Sequence, residues 1–405
     1  MEHGGATGSG ELVGRASELD DIDGLLTAAA GGEGAAALLE GEAGIGRSAL
    51  LGALGPGARL VGVEPVQVRA TVGDPPYAPI RALLAPRPDV WPIGPLDEAL
   101  AGLLRAAQDD PGHDRPDGAP LRPDETVPSA DLDRHTRIAD VAAALVRRRG
   151  EQRPWVLLLD DAHLADVPTL DVLTRLAREE SIPGVLVVLT LRPVPHRAAV
   201  SDLVSAWVRA GARNVELRPL STLAVQTLVE RSLGAVPGPV LRGVLATAGG
   251  NPQLLAQVLG AARDTGSLVP TDGVVDLVGT AWHAELDRRV QAQVAYLEPA
   301  VLALLTEAGV LGTSFVVPDL AALAALDVTT CWRTLRHALA AGVVAARGDR
   351  LVFRHDLVRT ALYDGLAPDQ RRALHARAAW ALEAAGAPAH VVSTHLERAR
   401  PVPDS

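Results

Sequence analysis

An α/β fold on a largely parallel sheet, followed by helices, is what the 405-residue sequence predicts. Three observations carry that expectation. The short apolar run AAALLEG, residues 35–41, feeds a glycine-rich turn and then the helical pattern RSALLGAL. A second buried-looking run, PWVLLLDD, ends in two acids, Asp160 and Asp161. Further apolar runs, GVLVVLTLRP and the shorter NVELRPLS, alternate with helical periodicity, and strands alternating with helices build a mainly parallel sheet.

Taken in order, the Gly-rich residues 1–10 are expected to be disordered. SELDDIDGLLTAAAG reads as a helix with Ser17 as its N-cap, because Leu19, Ile22, Leu25 and Leu26 recur at helical spacing. AAALLEG has the unbroken apolar character of a parallel strand buried on both faces. VEPVQVRATVGDPPYAPIRALL gives a strand, a Pro-rich turn and a helix start. Residues 105–130, dense in Pro, Asp and Gly, are expected to form a mobile surface insertion. DLDRHTRIADVAAALVRRRG is an amphipathic helix and TLDVLTRLAREE another.

After about Ser221 the strand signal fades. STLAVQTLVERSLG, GPVLRGVLATAGG and NPQLLAQVLGAARDTG read as successive helices, an all-α lid over 221–280. More helices follow, and then two short β-runs flank Arg347, Gly348 and Asp349; a hairpin after helices suggests a winged helix over 281–366. DQRRALHARAAWALEAAG and PAHVVSTHLERA form one helix pair in 367–405, too few to establish a solenoid.

Composition narrows the function. The formal charge of −11 gives no overall basic field for nucleic acid or anionic membrane. One cysteine excludes an internal disulfide and suits a reducing cytoplasm. The N-terminus lacks signal-peptide regions, and no uncharged apolar run approaches the ~18–20 residues of a membrane helix. A cytoplasmic protein without membrane contact is therefore expected. The sequence contains no lysine, so all 38 basic residues are arginine.

From Gly41 the turn reads G-E-A-G-I-G-R-S, against the phosphate-loop pattern G-x-x-x-x-G-K-[ST], with Arg47 in the lysine position. Gly41, Gly44 and Gly46 permit a loop whose amides curl around phosphates, with a helix N-terminus aimed at them. Ile45 completes that loop, and Ser48 supplies a hydroxyl for Mg²⁺. Guanidinium is longer, planar and forked where lysine is a point charge. Nucleotide binding with slow or absent hydrolysis is the expectation, although a ligand-free strand-to-helix turn has the same pattern. Asp160 would hold Mg²⁺ and Asp161 would orient or deprotonate the attacking water; the same pair also suits a solvated turn or helix cap. Thr190 and Arg192 end the third strand, at the carboxyl edge where open α/β sheets bind ligands. Arg192 equally suits a surface position.

Five blocks, LVGRASELDDIDGLL, GEAGIGRSALL, LLLDDAHLAD, AGGNPQLL and FRHDLVRTALYDGL, occur together and in order over roughly residues 11–398. Together they resemble the ATPase portion of large ATP-binding LuxR-type (MalT-like) transcriptional regulators, which belong to the STAND branch of AAA+-like P-loop proteins. The resemblance implies an α/β P-loop NTPase over 11–220, then the lid and winged helix, acting as an ADP/ATP switch with Mg²⁺. By position, Val13, Gly14 and Arg15 resemble the segment along the adenine. Pro252 resembles the lid proline that packs on the base. His355 resembles the histidine that touches the ADP β-phosphate in the closed state; from its residues alone it reads as a helix N-terminal position. An inducer or regulatory protein and nucleotide-dependent self-association are implied partners. The family's repeat sensor and helix-turn-helix are not found, so DNA contact is expected only through a domain absent from this chain. A scaffold that binds protein with nucleotide as a structural element, or an ATP-consuming motor, are the alternatives.

Other chemistry is less developed. His163, His196, His283 and His337 are scattered without metal-ligand pairing. Trp282, Trp332 and Trp380 fall in helical patterns and read as core or interface packing.

Overall fold

The computed structural model of the chain describes residues 12–108, 129–179, 182–193 and 196–400. The expected disorder of 1–10 and most of the insertion at 105–130 lie outside these. The chain divides into two compact units, one of residues 1–41 and 47–217, the other of residues 42–46 and 218–405.

The first unit is built on five parallel strands: β1 (Ala35–Glu40), β2 (Glu64–Arg69), β3 (Trp155–Asp160), β4 (Val185–Leu191) and β5 (Arg213–Glu216). Their spatial order is β2-β3-β4-β1-β5. β4 therefore lies between the strand that leads into the glycine-rich loop and the strand that ends in the two acids. Every residue of β3 and β4 is buried, which is why both run apolar without alternation: helices cover both faces. Those helices are α1 (Ala16–Ala30), α2 (Arg47–Leu60), α3 (Ala78–Leu83), α4 (Pro95–Gln108), α5 (Ser129–Gln152), α6 (Val167–Leu176) and α7 (Ala198–Arg209). Leu157, Leu159, Val187 and Leu189 of the central strands share one core with Ile138, Leu170, Leu203 and Trp207 from α5, α6 and α7.

Helix α1 begins two residues earlier than the sequence suggests. Arg15 holds the N-cap position without a side-chain cap, and Ser17 is inside the first turn, its Oγ bonded to Glu18 Oε2 at 2.8 Å. The neighbouring carboxylate competes successfully for the hydroxyl.

The second unit contains α8 (Thr222–Leu233), α9 (Pro239–Thr247), α10 (Pro252–Asp264), α11 (Ala281–Val294), α12 (Pro299–Leu311), α13 (Val317–Ala324), α14 (Val328–Ala340), α15 (Asp356–Asp364), α16 (Pro368–Ala384) and α17 (Ala389–Ala399). The region 221–280 is not all-α. It carries a three-stranded sheet in which β6 (Val236–Pro237) pairs parallel with β8 (Val274–Leu277), and β8 pairs antiparallel with β7 (Leu268–Thr271). Asp272 and Gly273 join β7 and β8 at φ 49° and 78°, the Asp-Gly turn whose two positive φ values match hairpin twist.

After α12 comes β9 (Ser314–Phe315), and after α14 the hairpin of β10 (Val344–Arg347) and β11 (Arg350–Phe353), ordered β10-β11-β9. Arg347 pairs with Arg350, so the turn is Gly348-Asp349 alone. Trp282 is buried, but Trp332 is 43% and Trp380 74% exposed, so the expected core role fails for these two. Helical periodicity places a tryptophan on a face without saying whether that face is covered.

Candidate functional site

The strand-to-helix turn after β1 sets the geometry. Gly41 N–H donates to Leu191 O at 3.2 Å, tying the end of β1 to β4. Arg47 and Ser48 are the first two residues of α2, at the end where unpaired amides and the helix dipole favour an anion. Between Gly41 and Arg47 the loop bends through Gly44 at φ 77° and Gly46 at φ 103°, with Ile45 wholly buried. A Cβ on Gly44 would come within 2.5 Å of Gln253 Oε1 and 2.8 Å of Asn251 Oδ1, so both conformation and space require glycine there.

In the first unit the acids of β3 meet the start of α2. Ser48 Oγ donates to Asp160 Oδ2 at 2.6 Å. Thr190 Oγ1, fully buried on β4, donates to Asp160 Oδ1 at 2.7 Å and accepts the Asp161 amide at the same distance. The hydroxyl thus bridges the two acids, holding Asp160 at 3% exposure with its acceptors filled. Asp161 adopts left-handed backbone, φ 53° and ψ 42°, which aims its carboxylate at Arg47. Arg47 Nη2 donates to Asp161 Oδ1 at 3.1 Å. Arg47 Nη1 is buried without a hydrogen-bond partner among the described residues. Burial lowers the Arg47 pKa, opposed by Asp161 and Asp160 and reinforced by Arg192 and Arg69.

Arg192 follows β4 and is half-buried, close enough to act electrostatically on Arg47. Neighbouring His163 is pushed down to about 3 by burial, then by Arg47 and Arg192, so at neutral pH it adds no charge. Arg15 is buried at the start of α1 and its Nη1 donates to Glu18 Oε1 at 2.9 Å.

Sequence reasoning missed Arg69. The β2–β3 register sets it opposite Asp160. Its Nη2 donates to Ser48 Oγ at 3.0 Å, and its Nε lies 3.3 Å from both Asp160 Oδ2 and Asp161 Oδ2. With 58% of the side chain exposed, these contacts orient the acids more than they stabilise the fold. The signal available was a cation at the carboxyl end of a strand.

The second unit organises the middle of the loop. Asn251, N-cap of α10, accepts from the amides of Gln253 and Leu254 through Oδ1 and donates through Nδ2 to Ala43 O and Glu42 Oε1, both at 2.9 Å. Gln253 N–H donates to Gly44 O at 3.1 Å. Pro252 is the first residue of α10, its Cγ 4.0 Å from where a Gly46 Cβ would stand. His355, at the N-cap position of α15, does not cap it; its Nε2 bonds Glu42 Oε1 at 2.9 Å. Glu42 was the other residue not singled out from sequence.

Arg47, Ser48, Asp160, Asp161 and Thr190 therefore converge in the first unit. Gly44, Ile45, Gly46, Pro252 and His355 belong to the second, grouped by the contacts of residues 42–46. This constellation on a β2-β3-β4-β1-β5 sheet is that of a P-loop NTPase of AAA+-like type. Residues 11–188 match the AAA ATPase domain family, and that segment carries an AAA+-like ATPase domain. Comparison with curated proteins gives no sequence match. Among solved structures, the Walker-type ATPase of Pyrococcus abyssi is similar at 14% identity and a TM-score of 0.52, covering 86% of this chain and 95% of that one. The Aeropyrum pernix ORC2 protein, in its ADPNP–ADP complexes, matches at 14% identity, TM-score 0.48, covering 93% and 96%. A signal-transduction ATPase with numerous domains and a tetratricopeptide-repeat sensor from Pyrococcus horikoshii matches at 14%, TM-score 0.38, covering 96% of this chain and 48% of that one. At these values only the first bears on the fold. Among the described residues, no helix is long and apolar enough to cross a membrane.

Proposed function

We propose that the chain is an ADP/ATP-binding switch module of a LuxR-type transcriptional regulator, with weak or absent hydrolysis. The observation that carries nucleotide binding is Arg47 Nη1, a charged donor buried at the N-terminus of α2 without a hydrogen-bond partner among the described residues. A buried unpaired cationic donor costs more than it returns unless an anion meets it, and a phosphate oxygen fits that need. Gly44 and Gly46, both at positive φ, supply the backbone conformation that a phosphate loop requires. The five sequence blocks in order support the regulator reading. The helices α12–α14 followed by the β10–β11 hairpin support a winged helix in 281–366.

Ser48 and Asp160, hard oxygen donors already paired, would hold Mg²⁺ together with waters and phosphate. When bound, Mg²⁺ would neutralise phosphate charge. Asp161 would be the residue that orients water, yet its carboxylate is held by Arg47 and Arg69. A carboxylate whose two oxygens are each engaged by a guanidinium has its acceptors occupied, which supports slow turnover. Val13, Gly14, Arg15 and Pro252 are assigned to the base and Arg192 to the γ-phosphate by the same reading.

The test is to purify the protein without added nucleotide, identify what denaturation releases, and titrate Mg·ADP and Mg·ATP calorimetrically. Tight ADP is expected. No released nucleotide and no binding of either ligand would defeat the reading and leave a protein-binding scaffold as the better account.

A further inference from the structure

Strand β2 ends level with β3: Arg69 stands opposite Asp160, and Ala70 N–H donates to Asp160 O at 2.9 Å. That alignment delivers a guanidinium to the carboxyl edge of the sheet, beside the start of α2. Asp160 Oδ1 accepts from Thr190 Oγ1 at 2.7 Å and from the Asp161 amide at 3.1 Å. Its Oδ2 accepts the Ser48 hydroxyl at 2.6 Å and lies 3.3 Å from Arg69 Nε. Ser48 Oγ, having given its proton to Asp160, accepts from Arg69 Nη2 at 3.0 Å. A carboxylate oxygen offers about two lone-pair positions, so Oδ1 is filled from within the fold and Oδ2 is shared between Ser48 and Arg69.

Charge closes in the same way. Asp160 and Asp161 bring two negative charges, and Arg47 and Arg69, each in contact with them, bring two positive ones. The two cations differ in how they are held: the Arg47 side chain is 8% exposed and that of Arg69 58%. Arg47 is therefore the fixed partner. Arg69 is the exchangeable one, because a long exposed side chain regains rotamer freedom and hydration when it lets go.

We propose that Arg69 is a built-in competitor of Mg²⁺: its guanidinium holds Ser48 Oγ and Asp160 Oδ2, the oxygens assigned above to the metal, and must swing out before metal enters. The inference rests on the nucleotide-binding reading above and specifies how that site handles its cation. With Arg69 seated, a divalent ion would bring two positive charges to a patch already balanced, at oxygens already occupied. ADP then binds with little help from metal, since the guanidinium already balances the acids that would otherwise repel phosphate. Without Arg69, metal becomes the group that reconciles those acids with phosphate. Apparent metal affinity falls by the fraction of molecules whose seat is open, and three weak contacts of this exposed kind put that fraction on the order of one tenth.

Mn²⁺ serves as the probe, because its paramagnetic resonance counts free ion without turnover. The full chain is titrated as its one-to-one complex with ADP, subtracting the metal that ADP alone holds, and ADP affinity is measured by calorimetry with Mn²⁺ and with EDTA. For the natural protein the two ADP affinities should differ by less than about threefold, and Arg69→Met should bind Mn²⁺ about tenfold tighter and make ADP binding metal-dependent by a similar factor. Arg69→Gln should do the same, and it keeps the test open if the methionine variant does not fold. Arg69→Lys keeps the charge, but one ammonium cannot span Ser48 and both acids as Nη2 and Nε do, so it should tighten Mn²⁺ by at least about threefold. Unchanged Mn²⁺ affinity in the methionine and glutamine variants would overturn the proposal. So would a lysine variant that matches arginine while the other two tighten, because charge alone would then repel the metal. A natural protein that binds no ADP in either condition would instead remove the nucleotide reading, and this inference with it.

Discussion

Replacing Arg47 with methionine removes the guanidinium while keeping an unbranched stem in a site that is 7% exposed. Two effects separate. The Nη2–Asp161 contact at 3.1 Å has a gross attraction of about 5 kcal/mol at an effective dielectric of 20. Most of that is offset by desolvation, which is the leading influence on the Arg47 pKa and lowers it. Fold stability should therefore fall by only about 1 to 3 kcal/mol, with Asp161 left to Arg69. The Nη1 donor is different, because it has no hydrogen-bond partner among the described residues to lose. A bond from it to a phosphate oxygen, as proposed, would be charge-assisted, and such bonds contribute about 1.5 to 3 kcal/mol net. Arg47→Met should thus weaken Mg·ADP roughly 10- to 100-fold in calorimetry at fixed ionic strength. Arg47→Lys, which keeps the charge but not the fork, should stay within about tenfold of the natural protein and hydrolyse ATP faster. Methionine binding ADP as tightly as arginine would refute the assignment of Nη1 to phosphate.

Two further outcomes concern the frame around the site. Arg149 is 2% exposed, with Nη2 on Asp97 Oδ1 at 2.8 Å and on Leu84 O at 3.1 Å, and its guanidinium lies 5.0 Å from the Trp91 ring centroid. Arg149→Met should lower unfolding free energy in urea by about 3 to 5 kcal/mol, the cost of stranding a buried carboxylate. His375 and His395 meet through Nδ1 at 2.9 Å, and Tyr363 Oη lies 2.9 Å from His375 Nε2. Burial, then His395 and Arg398, pushes His375 down to about 4, and His395 is lowered by burial and Arg398. A folded pKa below the unfolded value near 6.5 means the unfolded chain takes up protons first. Stability is present above about pH 6.5 and lost as pH falls toward 4, on the order of 3 kcal/mol at most for His375. Melting temperatures between pH 7.5 and 4.5 should show the decline, and His375→Gln should flatten it.

What was legible in the sequence follows from how each feature is encoded. Strands β1, β3 and β4 were plain because a parallel strand covered on both faces must be apolar at every position. The glycine-rich turn was plain because its φ values exclude most other residues. Ser48, Asp160 and Thr190 were found because each stands at the carboxyl edge of such a strand or just after it. Arg69 and Glu42 were missed for a different reason. Arg69 becomes relevant only through the register that sets it opposite Asp160, 91 positions away in sequence number. Glu42 acquires its partners from residues 209 and 313 positions distant. The small sheet of β6, β7 and β8 was lost because its strands are two to four residues long and mostly solvent-facing, so they carry no period-2 signal; only Asp272-Gly273 marked it. For Trp332 of α14 and Trp380 of α16 only the core half of the reading fails, because periodicity marks a face without reporting what covers it.

The arginine in the lysine position gains meaning from its two nitrogens. A lysine offers one ammonium that must serve either the acid or the phosphate at a given moment. The guanidinium fork serves both, Nη2 on Asp161 and Nη1 open to an anion. That division makes binding and restraint simultaneous: the side chain that would grip phosphate also holds the acid that would activate water. Under the proposed function, turnover would require Arg47 to release Asp161, whereas binding would not. In a chain that has arginine and no lysine, the substitution needs no selection for inactivity to arise, and the proposed switch, unlike a motor, would not need Asp161 released.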